Sequence, residues 1–278
     1  MVITGASTGI GEACALELDR LGYRVFAGVR KAADAMRLSQ RASGWLAPLM
    51  IDVTDLESVA EAEKIVAVAL ERQGLDALVN NAGIVIGGPL EIVPLEEFRR
   101  QLEVNVVGQL VVTRAFLPQL RAARGRIVNM SSFSGRIAVP YSGPYAASKH
   151  ALEAMSDALR VELRRFGISV SLIEPGSVQT PIWNKARSES ERSIREMSDD
   201  AELLYGDDMR AMREASLRLA REGMPVERVV RAVVHALTAR RPKTRYPLGA
   251  QTRLAFFAFK FLPDRVRDRL LCRSLGLE

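Results

Sequence analysis

Met1-Val-Ile-Thr-Gly-Ala-Ser-Thr-Gly-Ile-Gly11 opens the chain, and its glycines fall at positions 5, 9 and 11. Two apolar residues, Val2 and Ile3, lead into them, and Ala13, Ala15, Leu16 and Leu18 follow at helical spacing. The pattern reads as a short strand, a tight turn and a helix over residues 11–21 that Gly22 stops. Gly5 can take backbone angles closed to other residues, Gly9 lets the chain approach a pyrophosphate, and Gly11 lets the helix pack close to the sheet. Free N–H groups at a helix start favour phosphate. Gly5, Ser7, Thr8, Gly9, Ile10 and Gly11 are therefore candidates for holding a dinucleotide, in a spacing that differs from the Gly-x-Gly-x-x-Gly fingerprint.

Working outward, short apolar runs alternate with amphipathic stretches. Strands are expected over residues 24–29, 45–51, 77–79, 126–130, 169–173 and 244–247. Helices are expected over 56–72, 95–122 and 145–166, and another after Pro225 carries Val226, Val229, Val230, Val233 and Leu237 on one face. Strands separated by helices of this length pair in parallel through right-handed crossovers. The expected class is α/β: a Rossmann-like doubly wound parallel sheet in a single domain over 1–278, binding ligands beyond the carboxyl ends of its strands. Residues 182–224 change character. They are densely charged, with Ile194, Met197, Leu204, Met209 and Met212 between the charges, and read as a helical substrate lid. Residues 250–278 read as a C-terminal helical extension, apolar and basic.

Composition narrows the partners. The net charge of +6 is diffuse and has no aromatic-interleaved basic stripe, so nucleic acid is not an expected partner. Cys14, Cys272, His150 and His235 are scattered, which argues against a metal site or a disulfide framework and suits a reducing, cytoplasmic setting. The apolar stretch 254–262 is too short to span a bilayer. It can pack on the core, close a dimer partner's pocket, or lie in a membrane interface beside Arg265, Arg267 and Arg269, which leaves peripheral membrane contact through 254–270 open. The chain starts almost on the glycine turn, with no signal peptide before it; further N-terminal sequence, an anchor included, stays an open expectation.

Tyr145 and Lys149 form a Tyr-x-x-x-Lys pair, with Ser132 thirteen residues before the tyrosine. A phenol has a reference pKa of about 10, so proton exchange near neutrality needs that value lowered. Lys149, one helical turn on, shares a face with Tyr145, and a nearby ammonium favours tyrosinate. Ser131 competes with Ser132, and Tyr141 with Tyr145, but Tyr141 has no lysine four residues on. His150 directly follows Lys149 and is expected to be structural or at the surface. After the second strand stand Arg30 and Lys31 rather than a carboxylate. A carboxylate there would repel a 2′-phosphate; a guanidinium can grip one.

With the Asn80-Asn-Ala-Gly83 turn and Asn105 between them, these motifs resemble the short-chain dehydrogenase/reductase family along roughly residues 2–250. The resemblance implies hydride transfer with Asn105, Ser132, Tyr145 and Lys149 as the catalytic set. It implies that Arg30 selects NADP(H) over NAD(H), and that Asp52 and Val53 hold the adenine. Asn81, Ala82 and Gly83 would lie along the cofactor, Pro175, Gly176, Val178 and Thr180 beside the nicotinamide, and Tyr145 and Lys149 at its ribose. The stretches 21–28 and 235–246 resemble the branch holding retinol and hydroxysteroid dehydrogenases, which implies a small lipophilic alcohol or ketone as substrate. Pocket candidates are 84–90, 134–141 and the 182–224 lid. The family's usual dimer faces fall on the two long helices, so a homodimer or homotetramer is expected. Two alternatives stand beside this reading: a 3-ketoacyl-thioester reductase, and a non-catalytic NADP(H)-binding regulator.

Overall fold

Val2 and Ile3 are both wholly buried and form the first strand, β1 (Val2–Ile3), which pairs in parallel on both sides. The others are β2 (Val25–Val29), β3 (Leu46–Met50), β4 (Ala77–Asn80), β5 (Arg126–Met130), β6 (Ser169–Pro175) and β7 (Arg245–Leu248). The computed structural model describes residues 1–71, 73–181 and 198–277. Its seven-stranded sheet has the order β3-β2-β1-β4-β5-β6-β7, parallel throughout. The strand order reverses between β1 and β4, the switch point at whose carboxyl ends such sheets bind ligands.

The period-2 alternation of buried strands assigns each residue to one of two layers. Ile3, Val79 and Val128 face α1 (Gly9–Arg20) and α8 (Val226–Thr238), meeting Ala15, Leu18, Val229 and Val233. Val2, Leu78 and Ile127 face the other way. They meet α3 (Leu56–Leu70), α5 (Gly108–Ala123) and α6 (Gly143–Glu162) through Val59, Val66, Val112, Phe116 and Leu159. Asp55 caps α3, accepting from the backbone N–H groups of Glu57 (2.9 Å) and Ser58 (3.3 Å). A buried polar seam also crosses the sheet. Asn80 Nδ2 donates to Asn129 Oδ1 and to Thr113 Oγ1, both at 2.9 Å, and Asn129 Nδ2 donates to Ser156 Oγ at 2.8 Å. It ties β4 and β5 to α5 and α6 by groups that must stay paired once buried.

Several expectations shift. The helix expected over 95–122 is three pieces: α4 (Leu95–Leu102), a π-helical turn (Glu103–Val107) and α5. Helix α2 (Ala32–Ser39) was not foreseen; only Leu38 of it is buried, too little to give a readable apolar stripe. α6 starts at Gly143, two residues before Tyr145, and a 3₁₀ turn over Arg164–Phe166 follows its end. β6 continues through Glu174 and Pro175, because β7 pairs with it that far. Within the expected lid, α7 (Asp199–Glu222) is one long helix; the rest of that segment, 182–197, lies outside the described residues, as does Arg72.

The tail folds into α9 (Ala250–Phe261) and α10 (Asp264–Leu275). Of the alternatives for 254–262, the inner face of α9 packs on its own chain. Phe256 stacks on Phe133 with ring centroids 5.6 Å apart, and the Arg136 guanidinium lies 4.5 Å over the Phe256 ring. Its outer face leaves Leu254, Phe257 and Phe261 exposed. Among the described residues no helix is long and apolar enough to cross a membrane.

The edge strand β7 is held to α6 by a buried charge cluster. Arg245 donates to Glu153, to Glu174 Oε1 (3.0 Å) and to Asp157 Oδ2 (2.7 Å). Burial pushes Glu174 up to about 7, against the pull of Arg136.

The junction of β1 and α1 admits no side chain. A Cβ on Gly11 would lie 2.3 Å from the Gly5 carbonyl oxygen and 2.4 Å from Asn81 Nδ2. Gly11→Ala is expected to destabilise the fold by about 1–3 kcal/mol, seen as a lower thermal midpoint, and to weaken dinucleotide binding as the turn moves. An unchanged midpoint with unchanged binding would refute this account of the turn.

Candidate active site at the carboxyl ends of the strands

The glycine turn is braced from β4. Thr4 Oγ1 accepts from the backbone N–H groups of Asn81 and Ala82, both at 3.0 Å. Asn81 Nδ2 donates back to the carbonyls of Thr4 (3.1 Å) and Gly5 (3.0 Å). Gly5 and Gly9 hold φ of +65° and +64°, the left-handed region that favours glycine. Thr8 is the N-cap of α1 but makes no side-chain cap bond, so the first-turn N–H groups stay available to an anion. Thr180 comes against this turn, its Cβ 3.4 Å from the position a Gly9 Cβ would take. The turn after β1 and the segment after β6 thus converge, and Val178 in that segment bridges to Met224 at the end of the lid segment. Arg37 of α2, which the sequence did not single out, donates to the Ser7 carbonyl.

Arg30 and Asp52 meet at the ends of β2 and β3. The Arg30 side chain is 65% exposed and lies 3.7 Å from Asp52 Oδ2. The other Asp52 oxygen accepts from the Thr54 backbone N–H (3.0 Å) and hydroxyl (2.7 Å). Burial raises the Asp52 pKa, but the Thr54 hydrogen bonds and Arg30 outweigh it and hold the carboxyl below its usual range. Arg30 therefore extends over this edge with most of its guanidinium in solvent.

Asn105 sits in the π-helical turn and is fully buried. Its Oδ1 accepts from Ile84 N–H (2.9 Å), and its Nδ2 donates to Ile84 O and Ser148 Oγ, each at 3.0 Å. The extra residue in the π turn aims Asn105 at the loop after β4, and Gly83 passes close beneath it. Asn105 makes no described contact with Lys149 itself; the connection runs through Ser148 on α6.

Ser132, Tyr145 and Lys149 come together beyond the end of β5. The Ser132 hydroxyl lies near enough to the Tyr145 phenol to favour its ionised form. Lys149 Nζ donates to Met130 O at 2.7 Å and lies 5.7 Å from the centroid of the Tyr145 ring. The competing residues are placed elsewhere. Ser131 Oγ is buried without a partner among the described residues, while the Tyr141 hydroxyl donates to Asp208 on α7. His150 is exposed, with Nδ1 2.9 Å from Ala146 O. The expected acidification of Tyr145 is not produced by the chain alone. Burial raises its pKa, and the Ser132 hydroxyl recovers only part of that. The ammonium of Lys149 turns to a backbone carbonyl, and burial brings its own pKa down to about 8.

The two loops flanking this group are tied together and to α7. Gly88 N–H donates to Tyr141 O at 2.7 Å, and Tyr141 holds φ of +59°. Tyr205 of α7 donates to Glu91. Among the described residues no cluster of His, Cys, Asp and Glu could hold a metal.

A family model described as short chain dehydrogenase matches residues 1–191. The NADPH-dependent 3-dehydrocapnine reductase of Ornithobacterium rhinotracheale is 36% identical over 279 residues, covering 99% of this chain and 96% of that protein. Retinol dehydrogenase 5 of Mus musculus is 39% identical over 278 residues, covering 97% of this chain and 86% of that protein. A solved short chain dehydrogenase from Burkholderia cenocepacia J2315, in complex with NADP, superposes with a TM-score of 0.70 at 27% identity, covering 99% of this chain and 95% of that one.

The depressed pKa of Lys149 has a stability signature. Unfolded lysine titrates near 10.4, so between pH 8 and 10 the unfolded chain binds more protons here than the folded one. Stability at this site therefore rises with pH across that window, and the full handicap applies below pH 8. Relative to Lys149→Met, wild type should gain unfolding free energy of the order of 3 kcal/mol from pH 7 to 10. Urea titrations of both proteins at three pH values measure it; a flat difference would sink the assignment.

Proposed function

The chain belongs to the short-chain dehydrogenase family, and from that premise we propose that it is an NADP(H)-dependent oxidoreductase. Its reaction interconverts a lipophilic primary or secondary alcohol and its aldehyde or ketone, of the retinol or hydroxysteroid kind. The observation that carries this reading is the convergence of the Ser132 hydroxyl, the Tyr145 phenol and the buried Lys149 ammonium beyond β5. Retinol dehydrogenase 5 and the NADPH-dependent reductase, each similar along nearly the whole chain, support it.

The chain's own residues fit a dinucleotide. The uncapped first turn of α1 and the positive φ of Gly5 and Gly9 form a cradle of N–H groups without side chains in the way. Gly5, Ser7, Thr8, Gly9, Ile10 and Gly11 would hold the pyrophosphate. Arg30 would grip a 2′-phosphate, since no carboxylate follows β2 and its side chain, paired only loosely with Asp52 at 3.7 Å, is 65% exposed. Asp52 and Val53 would meet the adenine. Asn81, Ala82 and Gly83 would lie along the cofactor, with Pro175, Gly176, Val178 and Thr180 at its nicotinamide end and Tyr145 and Lys149 at its ribose. When bound, NADP(H) supplies or accepts the hydride.

Ser132 orients the substrate oxygen by hydrogen bonding. Tyr145 gives that oxygen a proton in reduction and removes it in oxidation. Lys149 stabilises the tyrosinate that reduction leaves behind. Asn105 holds the loop after β4 against α6, which fixes the helix that carries both groups.

This reading includes two surfaces. The outer face of α9, with Leu254, Phe257 and Phe261 beside Arg253 and Lys260, supports contact with a membrane surface. Exposed Val107 and Val161, on the helices over 95–122 and 145–166, support a homo-oligomer through those faces.

Tyr145→Phe should lower kcat for carbonyl reduction by roughly 10²–10⁴-fold and leave the NADPH dissociation constant within a few-fold of wild type. NADPH consumption and fluorescence titration measure the two. Arg30→Ala should weaken NADPH binding by about 1.5–3 kcal/mol with little change for NADH. Full turnover by Tyr145→Phe, or equal losses for both nucleotides in Arg30→Ala, would overturn the corresponding assignment.

A further inference from the structure

An apolar groove of about 590 Å³ is lined in part by the segment that connects Ser132 to Tyr145. Its walls come from four parts of the chain: Leu90 after β4, Val139 and Gly143 between Ser132 and Tyr145, Tyr205 of α7, and Leu271 and Cys272 of α10. The inner end is fixed by connectivity. Val139 and Gly143 lie on the chain between Ser132 and Tyr145, so the groove adjoins the segment that enters α6 just before Tyr145. Leu90 packs where a Gly143 side chain would otherwise be, within 3 Å of the position of its Cβ. At its outer end the groove is bounded on one side by α10, a helix whose basic sequence reads as a surface element. Cys272 there is half-buried and near enough to the Tyr141 phenol to interact with it electrostatically.

We infer that α10 is the far wall of the substrate pocket, and that Leu271 and Cys272 set the length of lipophilic tail it accepts. The inference rests on the proposed reaction, because that reaction puts the reacting oxygen at Tyr145 and leaves the rest of the substrate to follow the groove. The volume lies within the range of about 300–1,000 Å³ usual for pockets that bury small lipophilic ligands. The phenols of Tyr141 and Tyr205 are already satisfied by Asp208 and Glu91, so they contribute ring surface to the groove and little polarity. Among the described lining residues the charged ones are Glu91 and Asp268, both carboxylates. A tail ending in an anion is therefore disfavoured, and a neutral or cationic end is accepted.

The test uses the full-length protein, NADPH and methyl ketones from butan-2-one to tridecan-2-one, with a long ketone ending in a carboxylate as a further probe. For wild type, kcat/KM should rise with chain length, since each buried methylene contributes about 0.8 kcal/mol. Cys272→Trp fills the outer end. Its ratio of kcat/KM for tridecan-2-one over butan-2-one should fall at least about tenfold, and Leu271→Ala should move the preferred length upward. The carboxylate-ended ketone should be the poorer substrate for wild type. A second readout needs no turnover: tridecan-2-one should slow alkylation of Cys272 by N-ethylmaleimide, followed by mass spectrometry, while butan-2-one should not. Cys14 is an internal reference, because burial pushes its thiol up to about 12 and keeps it unreactive. A length ratio unchanged by both substitutions, or alkylation indifferent to the long ketone, would overturn the wall assignment. Absence of NADPH consumption with every ketone would instead count against the reaction, and the alkylation result would still decide the wall.

Discussion

A distance of 2.3 Å separates the Gly5 carbonyl oxygen from the place where a side chain on Gly11 would begin. The rest of the molecule is arranged around that closeness. Because α1 starts this near to β1, its open N–H groups stand at the switch point where strand order reverses. Because Asn81 fills the remaining space and bonds both the Thr4 and Gly5 carbonyls, the loop after β4 is locked to the loop after β1. Backbone polar groups that would be left unsatisfied in a buried turn are thus paired by a single amide. The two loops hold a fixed spacing for this reason, and the nucleotide-binding side of the site depends on it.

The reacting side is set by a second lock built on different physics. The π-helical turn inserts a residue into the helix that follows β4, and the resulting step buries Asn105. A buried amide must find partners, and Asn105 finds them on the loop below and on α6 opposite. α6 carries Tyr145 and Lys149, so the irregular turn fixes their helix relative to the sheet. The Arg245 cluster anchors the same helix further along, through Glu153 and Asp157, and reaches Glu174 just before Pro175 and Gly176. Removing Arg245 would leave three carboxylates partly buried around a missing cation, a costly arrangement. The helix that carries Tyr145 and Lys149 is therefore held by polar contacts at Ser148, Glu153 and Asp157, in addition to its apolar face.

What could be read in the sequence was whatever depends on near neighbours. The glycine spacing, the Tyr145–Lys149 pair and the strand runs each place their partners within one turn or one loop, and the parallel sheet follows from their order. The π turn was hidden because Glu103-Val-Asn-Val-Val107 continues the apolar rhythm of a regular helix; an inserted residue leaves no mark in hydrophobicity. α2 was missed because it buries almost nothing, so Arg37 could not be connected to Ser7. The charge cluster escaped because Glu153, Asp157, Glu174 and Arg245 are joined only by tertiary packing. Proximity of a lysine in sequence says nothing of where its ammonium points or how much water the phenol loses, so the upward shift of Tyr145 in the chain alone was not legible.

The manner in which α7 is fastened carries a kinetic consequence. Its described ties to the two flanking loops are phenol-to-carboxylate hydrogen bonds, Tyr141 to Asp208 and Tyr205 to Glu91, while Leu203 and Leu204 on the same helix remain outside any core. Water can replace either partner as such a bond breaks. The apolar surface that α7 itself buries is small, Met209 with Ala201 and Ala215, so lifting it exposes little. A cover fastened by exchangeable hydrogen bonds can swing on the microsecond to millisecond scale of loop motions. Passage of the proposed substrate past α7 then need not limit how often the site turns over.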